Sequence, residues 1–175
     1  IGFPPGTDAL VAGGLRLTTA ADLAAHLVPR NPESHKGTFG HVLLVAGSPG
    51  MAGAAALAAR GALRAGAGLV TAALPASISP LLLPGLPEAM LLPLPDDATP
   101  AGGDDAAPVL AGHLSRFSAL AVGPGLSRRD GAARLVRDLC AAAPDLPLLL
   151  DADALDALAA AGPQAISRRR TPALL

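Results

Sequence analysis

The chain has no tryptophan and no tyrosine, three phenylalanines and a single cysteine, Cys140. With so few aromatics, its core has to be built from Leu, Val and Ala, which suits closely packed α/β layers better than a β-sandwich. One cysteine excludes an internal disulfide and a cysteine metal cluster. Cys140 falls in a helical stretch and reads as a small buried hydrophobe. Lysine is almost absent as well: Lys36 is the only one among 13 basic residues, the rest being arginine. Together with the many Ala, Gly and Pro, that bias points to a GC-rich coding sequence rather than to a function. The net charge is −1, so there is no electrostatic footprint for nucleic acid. No apolar run approaches the roughly 20 residues that a membrane helix needs. The first residues lack the basic start and apolar block of a secretory signal. The expectation is a cytoplasmic protein with neither a nucleic-acid nor a membrane partner.

What the chain does have is apolar character: 51% hydrophobic against 15% charged over 175 residues, enough for one core. The organising stretch is residues 42–70. Residues 42–46 form a short apolar run consistent with a buried strand. A glycine-rich turn follows, Gly47-Ser-Pro-Gly50-Met-Ala-Gly53, and then residues 54–65, rich in the best helix formers. A second apolar run begins at Gly68-Leu69-Val70. Strand, glycine turn, helix, strand is the βαβ unit that builds parallel sheets.

That turn has two readings. Glycines let another molecule approach the backbone, and the free N–H groups of the following helix favour an anion such as a phosphate. Equally, the turn is a tight βα connection that binds nothing. Its spacing, G-x-x-G-x-x-G, is neither the dinucleotide fingerprint nor a P-loop. Lys36, in the polar loop before the strand, is a candidate to neutralise a phosphate there, or simply a solvated lysine. On the helix, Arg60 and Arg64 share one face and read as solvated, while Ala54, Leu57, Gly61 and Ala65 offer a small-residue face for the sheet.

Further along, residues 69–74 read as a strand, and a short helix and a short strand follow within 78–92. Residues 96–105 form an exposed loop, 107–114 a helix and 117–122 a strand that runs into Gly123-Pro-Gly125-Leu126. Residues 130–142 form a helix with Leu135, Val136, Leu139 and Cys140 on its apolar face. A strand over 146–150 ends in Asp151-Ala-Asp153, where Asp153 suits the cap of the next helix and Asp151 suits a pocket. Nearer the start, residues 1–17 lack periodicity and read as a linker. Thr19 and Asp22 mark a short helix that carries Leu23, His26 and Leu27 on one face and ends by Pro29. Two glycine corners at strand carboxyl ends, where open α/β sheets bind ligands, point to one shared pocket.

Five motifs then resemble one family in order and approximate spacing: Ser34-His-Lys-Gly37, Ala46-Gly-Ser-Pro-Gly-Met-Ala-Gly-Ala54, Ala65-Gly-Ala-Gly-Leu-Val70, Val122-Gly-Pro-Gly-Leu126 and Asp151-Ala-Asp-Ala-Leu155. From about residue 31 onward the chain is similar to the ADP/ATP-dependent (S)-NAD(P)H-hydrate dehydratases. The resemblance implies a ribokinase-like three-layer α/β/α fold with a mainly parallel sheet, incomplete here. It implies lyase chemistry on a damaged cofactor: the hydrate NADHX or NADPHX is phosphorylated on its hydroxyl by ADP or ATP, and phosphate then leaves to restore the dihydropyridine. The nucleotide implies Mg2+, and a homo-oligomer is expected of the full-length protein. Ala54 and Gly125 match positions where the family contacts the hydrated nicotinamide nucleotide, and Gly47 and Gly123 line the same edge by the strand-end argument. His35 and Lys36 match the family pattern without an assigned role. The family's Thr-Pro-His-Pro-Gly-Glu motif, its phosphate loop and its Gly-Thr-Gly-Asp segment do not occur. The expectation is therefore a chain without the ADP site, the catalytic aspartate or a metal site. Ile1-Gly-Phe-Pro resembles the exit from an epimerase domain, which makes 1–30 a linker or tail plus a short helix and 31–175 the first half of the dehydratase domain. The rivals are another ribokinase-like small-molecule kinase and a non-catalytic remnant. A nicotinamide oxidoreductase is disfavoured, because no acidic residue stands near 69–74 to hold a ribose.

Overall fold

A computed structural model of the 175-residue chain describes residues 19–24, 26–27, 29–96, 106–127, 130–167 and 169–175. The linker expected over 1–17 and most of the loop expected over 96–105 lie outside them. The chain divides into two compact units, 1–34 and 35–175.

In the first unit, α1 (Ala20–Ala24) starts at a capping box. Thr19 N donates to Asp22 Oδ2 at 2.9 Å, and Asp22 N donates to Thr19 Oγ1 at 3.4 Å. The helix stops at Ala24, well before Pro29, and buries none of its residues. Leu23 and Leu27 are both exposed, so no packed apolar face forms there.

The second unit is a six-stranded sheet, parallel throughout, in the order β3-β2-β1-β4-β5-β6. The strands are β1 (His41–Val45), β2 (Leu69–Pro75), β3 (Met90–Leu94), β4 (Ala119–Val122), β5 (Leu148–Leu150) and β6 (Ala173–Leu174). The helices are α2 (Ala52–Ala65), α3 (Ala106–Ala111), α4 (Asp130–Ala142) and α5 (Asp153–Ala161). The alternation of a strand sorts its side chains to two faces. Leu43, Val45, Leu120, Val122, Leu148 and Leu150 turn to one core with α3, α4 and α5. Leu44, Val70, Ala72 and Leu74 turn to the other, with α2. This is a three-layer α/β/α arrangement.

The expected apolar face of α4 is buried in full, Cys140 included. The expected sheet face of α2 is not. Ala55 and Ala59 are fully buried, whereas Leu57 is 72% exposed and a Cβ at Gly61 would meet nothing within 4 Å. Ten of its fourteen residues are Ala or Gly, so hydrophobic contrast sets its phase only weakly, and contact with β1 and β2 decides which side is buried. Arg60 is not merely solvated: its Nη2 donates to Gly85 O at 2.7 Å and ties α2 to the 3₁₀ turn Leu83–Gly85. Beyond α2, the same sheet face carries an apolar groove of about 450 Å³, bordered by Val42, Ala62, Ala121, Leu149 and Leu174.

Strands β1, β2 and β3 progress one way from the centre, and β4, β5 and β6 the other. The order therefore reverses between β1 and β4. At such a reversal the connections leave to opposite faces and open a crevice at the strands' carboxyl ends.

Candidate functional site

Both glycine corners stand at that crevice. The register pairs Val45 with Val122, so the first corner leaves β1 beside the point where the second leaves β4. Backbone hydrogen bonds join them: Gly47 N donates to Pro124 O at 2.9 Å, and Gly123 N donates to Val45 O at 3.1 Å. Leu126 N closes the second turn onto Gly123 O at 3.0 Å. Gly47, Gly123 and Gly125 have φ of +82°, +136° and +69°, values that L side chains avoid.

The four residues singled out from sequence, Gly47, Ala54, Gly123 and Gly125, thus come together. The reason for the glycines is tighter than an open backbone. A Cβ at Gly125 would fall 2.9 Å from the Ala54 Cβ and 3.1 Å from Met51 O. One at Gly47 would fall 3.2 Å from the Ala55 Cβ, and one at Gly123 would overlap the carbonyl oxygen of Asp151. Gly125 lets the second corner close on the first, while Gly47 makes room for α2 and Gly123 for the connection between β5 and α5. Open backbone lies at Gly50 and Gly53, where a Cβ would meet nothing within 4 Å.

The first turn of α2 faces this opening. Its N-cap, Met51, makes no side-chain cap bond, although Met51 N donates to Ser48 O at 2.8 Å. Ser48 is 5% exposed and its hydroxyl has no hydrogen-bond partner among the described residues. A 14-residue helix with an uncapped start presents N–H groups and the positive end of its dipole, the usual cradle for an anionic group.

Two expectations are corrected by geometry. Lys36 does not approach the corner. It begins the 3₁₀ turn Lys36–Phe39 before β1, and that loop pairs with the start of β2 through Gly68 N to Phe39 O (3.1 Å) and Leu69 N to Gly40 O (3.0 Å). A residue just before a strand sits at the strand's amino end, and five residues of β1 put about 16 Å between that end and the glycine turn. His35 belongs to the same loop. Asp153 does not cap α5: no side-chain cap bond forms at Ala152, and Asp153 Oδ2 instead accepts the Ser127 N–H at 2.8 Å. Asp151, the expected pocket carboxylate, is exposed at the end of β5; its N–H donates to Val122 O at 3.1 Å.

Sequence reasoning missed Ser48 and Ser127. Ser127 has φ +74° in a residue with a Cβ, and nothing in its identity signals that. Among the described residues no group of three His, Cys, Asp or Glu is placed to hold a metal ion. No step is assigned to Mg2+. No helix among the described residues is long and apolar enough to cross a membrane.

Comparison with known proteins agrees with this architecture. A family profile described as NAD(P)H-hydrate dehydratase matches residues 42–175. The bifunctional NAD(P)H-hydrate repair enzyme Nnr of Moorella thermoacetica is 45% identical over 161 residues, covering 91% of this chain and 30% of that protein. The crystal structure of the ADP/ATP-dependent NAD(P)H-hydrate dehydratase of Bacillus subtilis, co-crystallised with ATP and Mg2+, superimposes with a TM-score of 0.62. It is 37% identical and the match covers 78% of this chain and 46% of that one. A ribokinase-like superfamily protein of Enterococcus faecalis, 23% identical with a TM-score of 0.64 over 76% of this chain and 44% of its own, shares the fold. The chain thus spans less than half the length of each of these proteins. With the profile running unbroken from β1 to the last residue, the chain belongs to the NAD(P)H-hydrate dehydratase family.

Proposed function

We propose that this chain supplies the nicotinamide-nucleotide side of an ADP/ATP-dependent (S)-NAD(P)H-hydrate dehydratase. The observation that carries the reading is the junction of the two glycine corners at the β1/β4 reversal, with Ala54 packed against Gly125 and α2 pointing its uncapped start at the same opening. In this reading Gly47, Ala54, Gly123 and Gly125 shape the floor beneath NADHX or NADPHX. Gly50 and Gly53 admit the ligand close to the backbone, and the first N–H groups of α2 receive an anionic part of it.

The reaction phosphorylates the substrate hydroxyl with ADP or ATP and then expels inorganic phosphate as the ring double bond re-forms. Hydroxide is a poor leaving group and phosphate a good one, which is why a kinase-like scaffold suits a lyase. The nucleotide, Mg2+ and the catalytic carboxylate belong in this reading to the part of the domain outside residues 1–175. Residues 31–175 are the first half of the dehydratase domain, and 1–30 lead in from an epimerase domain. The whole protein works as a homo-oligomer in the cytoplasm.

Titration separates the alternatives. Binding of NADP(H) by the 175-residue chain, without binding of ADP, is the expected result; binding of neither identifies a non-catalytic remnant. The protein carrying the whole dehydratase domain is expected to convert (S)-NADHX to NADH only when ADP or ATP is supplied. Phosphorylation of an unrelated small molecule, with NADHX left untouched, would replace this reading by that of another ribokinase-like kinase.

A further inference from the structure

We infer that Asp153 is a positioning residue for the nicotinamide-nucleotide site: its carboxylate holds the second glycine corner in the conformation that packs against Ala54. The inference rests on the site reading above and adds a residue to it.

The turn from Gly123 to Ser127 is held along its first half by backbone alone. Gly123 N donates to Val45 O, Gly47 N to Pro124 O, and Leu126 N to Gly123 O. Its second half depends on a residue in an unfavourable state. Ser127 has φ +74°, a region costly for any residue with a Cβ. Among the described residues only one other non-glycine has positive φ, Ala152 at +49°, and it immediately precedes Asp153. Both strained residues therefore flank a single carboxylate. Asp153 Oδ2 accepts the Ser127 N–H at 2.8 Å across 26 residues of sequence. An aspartate at a helix start ordinarily caps its own helix; here α5 has no side-chain cap and the oxygen serves the neighbouring turn. A bond from an amide to an ionised carboxylate is charge-assisted and comparable in size to the strain it offsets.

The consequence reaches the site through two residues of chain. If the bond is lost, Ser127 relaxes toward negative φ. Gly125 then shifts from its packed position beside Ala54 and Met51, where a Cβ would come within 2.9 Å and 3.1 Å. The floor beneath the nicotinamide nucleotide loses its shape, although no atom of Asp153 is required to touch it.

The experiment is a fluorescence titration of the 175-residue chain with NADPH, a stable relative of the hydrate, run beside thermal melts. Asp153→Ala is expected to weaken NADPH binding by about tenfold or more, the loss of a charge-assisted hydrogen bond. Asp153→Asn keeps a neutral acceptor in place and is expected to lose about threefold or less. Adding Ser127→Gly to Asp153→Ala is expected to recover most of the binding, because glycine holds φ +74° without a tether. A purely structural role would not produce that recovery. Undiminished binding by folded Asp153→Ala, or a loss that Ser127→Gly fails to repair, overturns the inference and leaves the site reading intact. A wild-type chain that binds no NADPH overturns both.

Discussion

At the amino rim of the sheet a Cβ on Gly68 would overlap the Lys36 carbonyl oxygen; at the carboxyl rim a Cβ on Gly123 would overlap that of Asp151. The steric demand is the same and the surroundings differ. The amino rim is knitted by side chains that satisfy one another. His41 Nε2 stands 2.8 Å from Thr71 Oγ1, Ser118 Oγ accepts the His41 N–H at 2.7 Å, and the His41 ring meets Phe117 edge-on at 4.5 Å between centroids. Both rims carry glycine at positive φ, Gly40 and Gly66 at the amino rim and Gly47, Gly50, Gly123 and Gly125 at the carboxyl rim, but the two non-glycine residues at positive φ among the described residues, Ser127 and Ala152, both stand at the carboxyl rim. It also holds the Ser48 hydroxyl, which with Arg169 Nε is one of two buried side-chain polar groups without a hydrogen-bond partner among the described residues. Strain and unspent polar groups persist where surrounding structure over-determines them, and they gather at sites that receive something. The side chains around the start of β1 serve stability; the strained carboxyl rim is available for a ligand.

Paired substitutions break or sharpen that contrast. Gly123→Ala and Gly68→Ala should each cost on the order of 3 kcal/mol, since both push a Cβ into a backbone carbonyl and Gly123 adds the strain of φ +136°. Both should lower the melting temperature sharply. Only Gly123→Ala should also weaken NADPH binding when titrated below its melting temperature. Equal loss of binding from Gly68→Ala would erase the distinction between the rims. Gly125→Ala comes next. Its Cβ would fall 2.9 Å from the Ala54 Cβ and 3.1 Å from the Met51 Cβ and carbonyl oxygen, a milder overlap than that at Gly123, so about 1–3 kcal/mol of stability is expected to go. Binding should fall more than about tenfold, because the two corners part at their contact. A Gly125→Ala chain that binds NADPH normally would mean that the corner contact does not shape the pocket.

How much of this was legible in the sequence depended on contrast. Helix α4 carries Leu, Val and Cys on one side and Arg and Asp on the other, and its predicted bounds, 130–142, are those observed. The corners were legible because runs of glycine at the ends of apolar segments have few structural uses. Helix α2 offers less contrast: ten of its fourteen residues are Ala or Gly, and the face predicted through Leu57 and Gly61 is the solvent face. Nearness in sequence makes Lys36 a candidate for the phosphate corner beside the plain reading of a solvated lysine, yet parallel strands send the residues before and after them to opposite rims, which leaves the plain reading. Asp153 was hidden for a third reason. Its partner, Ser127, lies on another βα connection, and a serine does not advertise a left-handed backbone.

The smallest expected effect concerns the amino rim alone. His41 is held below the ordinary histidine value, first by burial and then by the positive charge of Arg116, against which a hydrogen bond to the Arg116 backbone acts in the opposite sense. A base whose folded pKa is depressed binds its proton more readily when unfolded. The stability tied to neutral His41 is therefore complete above the unfolded value of about 6.5 and drains away as pH falls through the lower folded value. Asp96 and Asp145, also depressed, respond below the ordinary carboxylate value of 3.8 and leave this window clear. Urea unfolding of the wild type should show stability falling modestly between about pH 7 and pH 5, and His41→Gln should flatten that slope. NADPH affinity, read over the same range at urea-free conditions, should not follow it, because His41 stands at the rim opposite the corners. Affinity that tracked the histidine would join the two rims into one functional unit and undo the contrast on which the reading of the site depends.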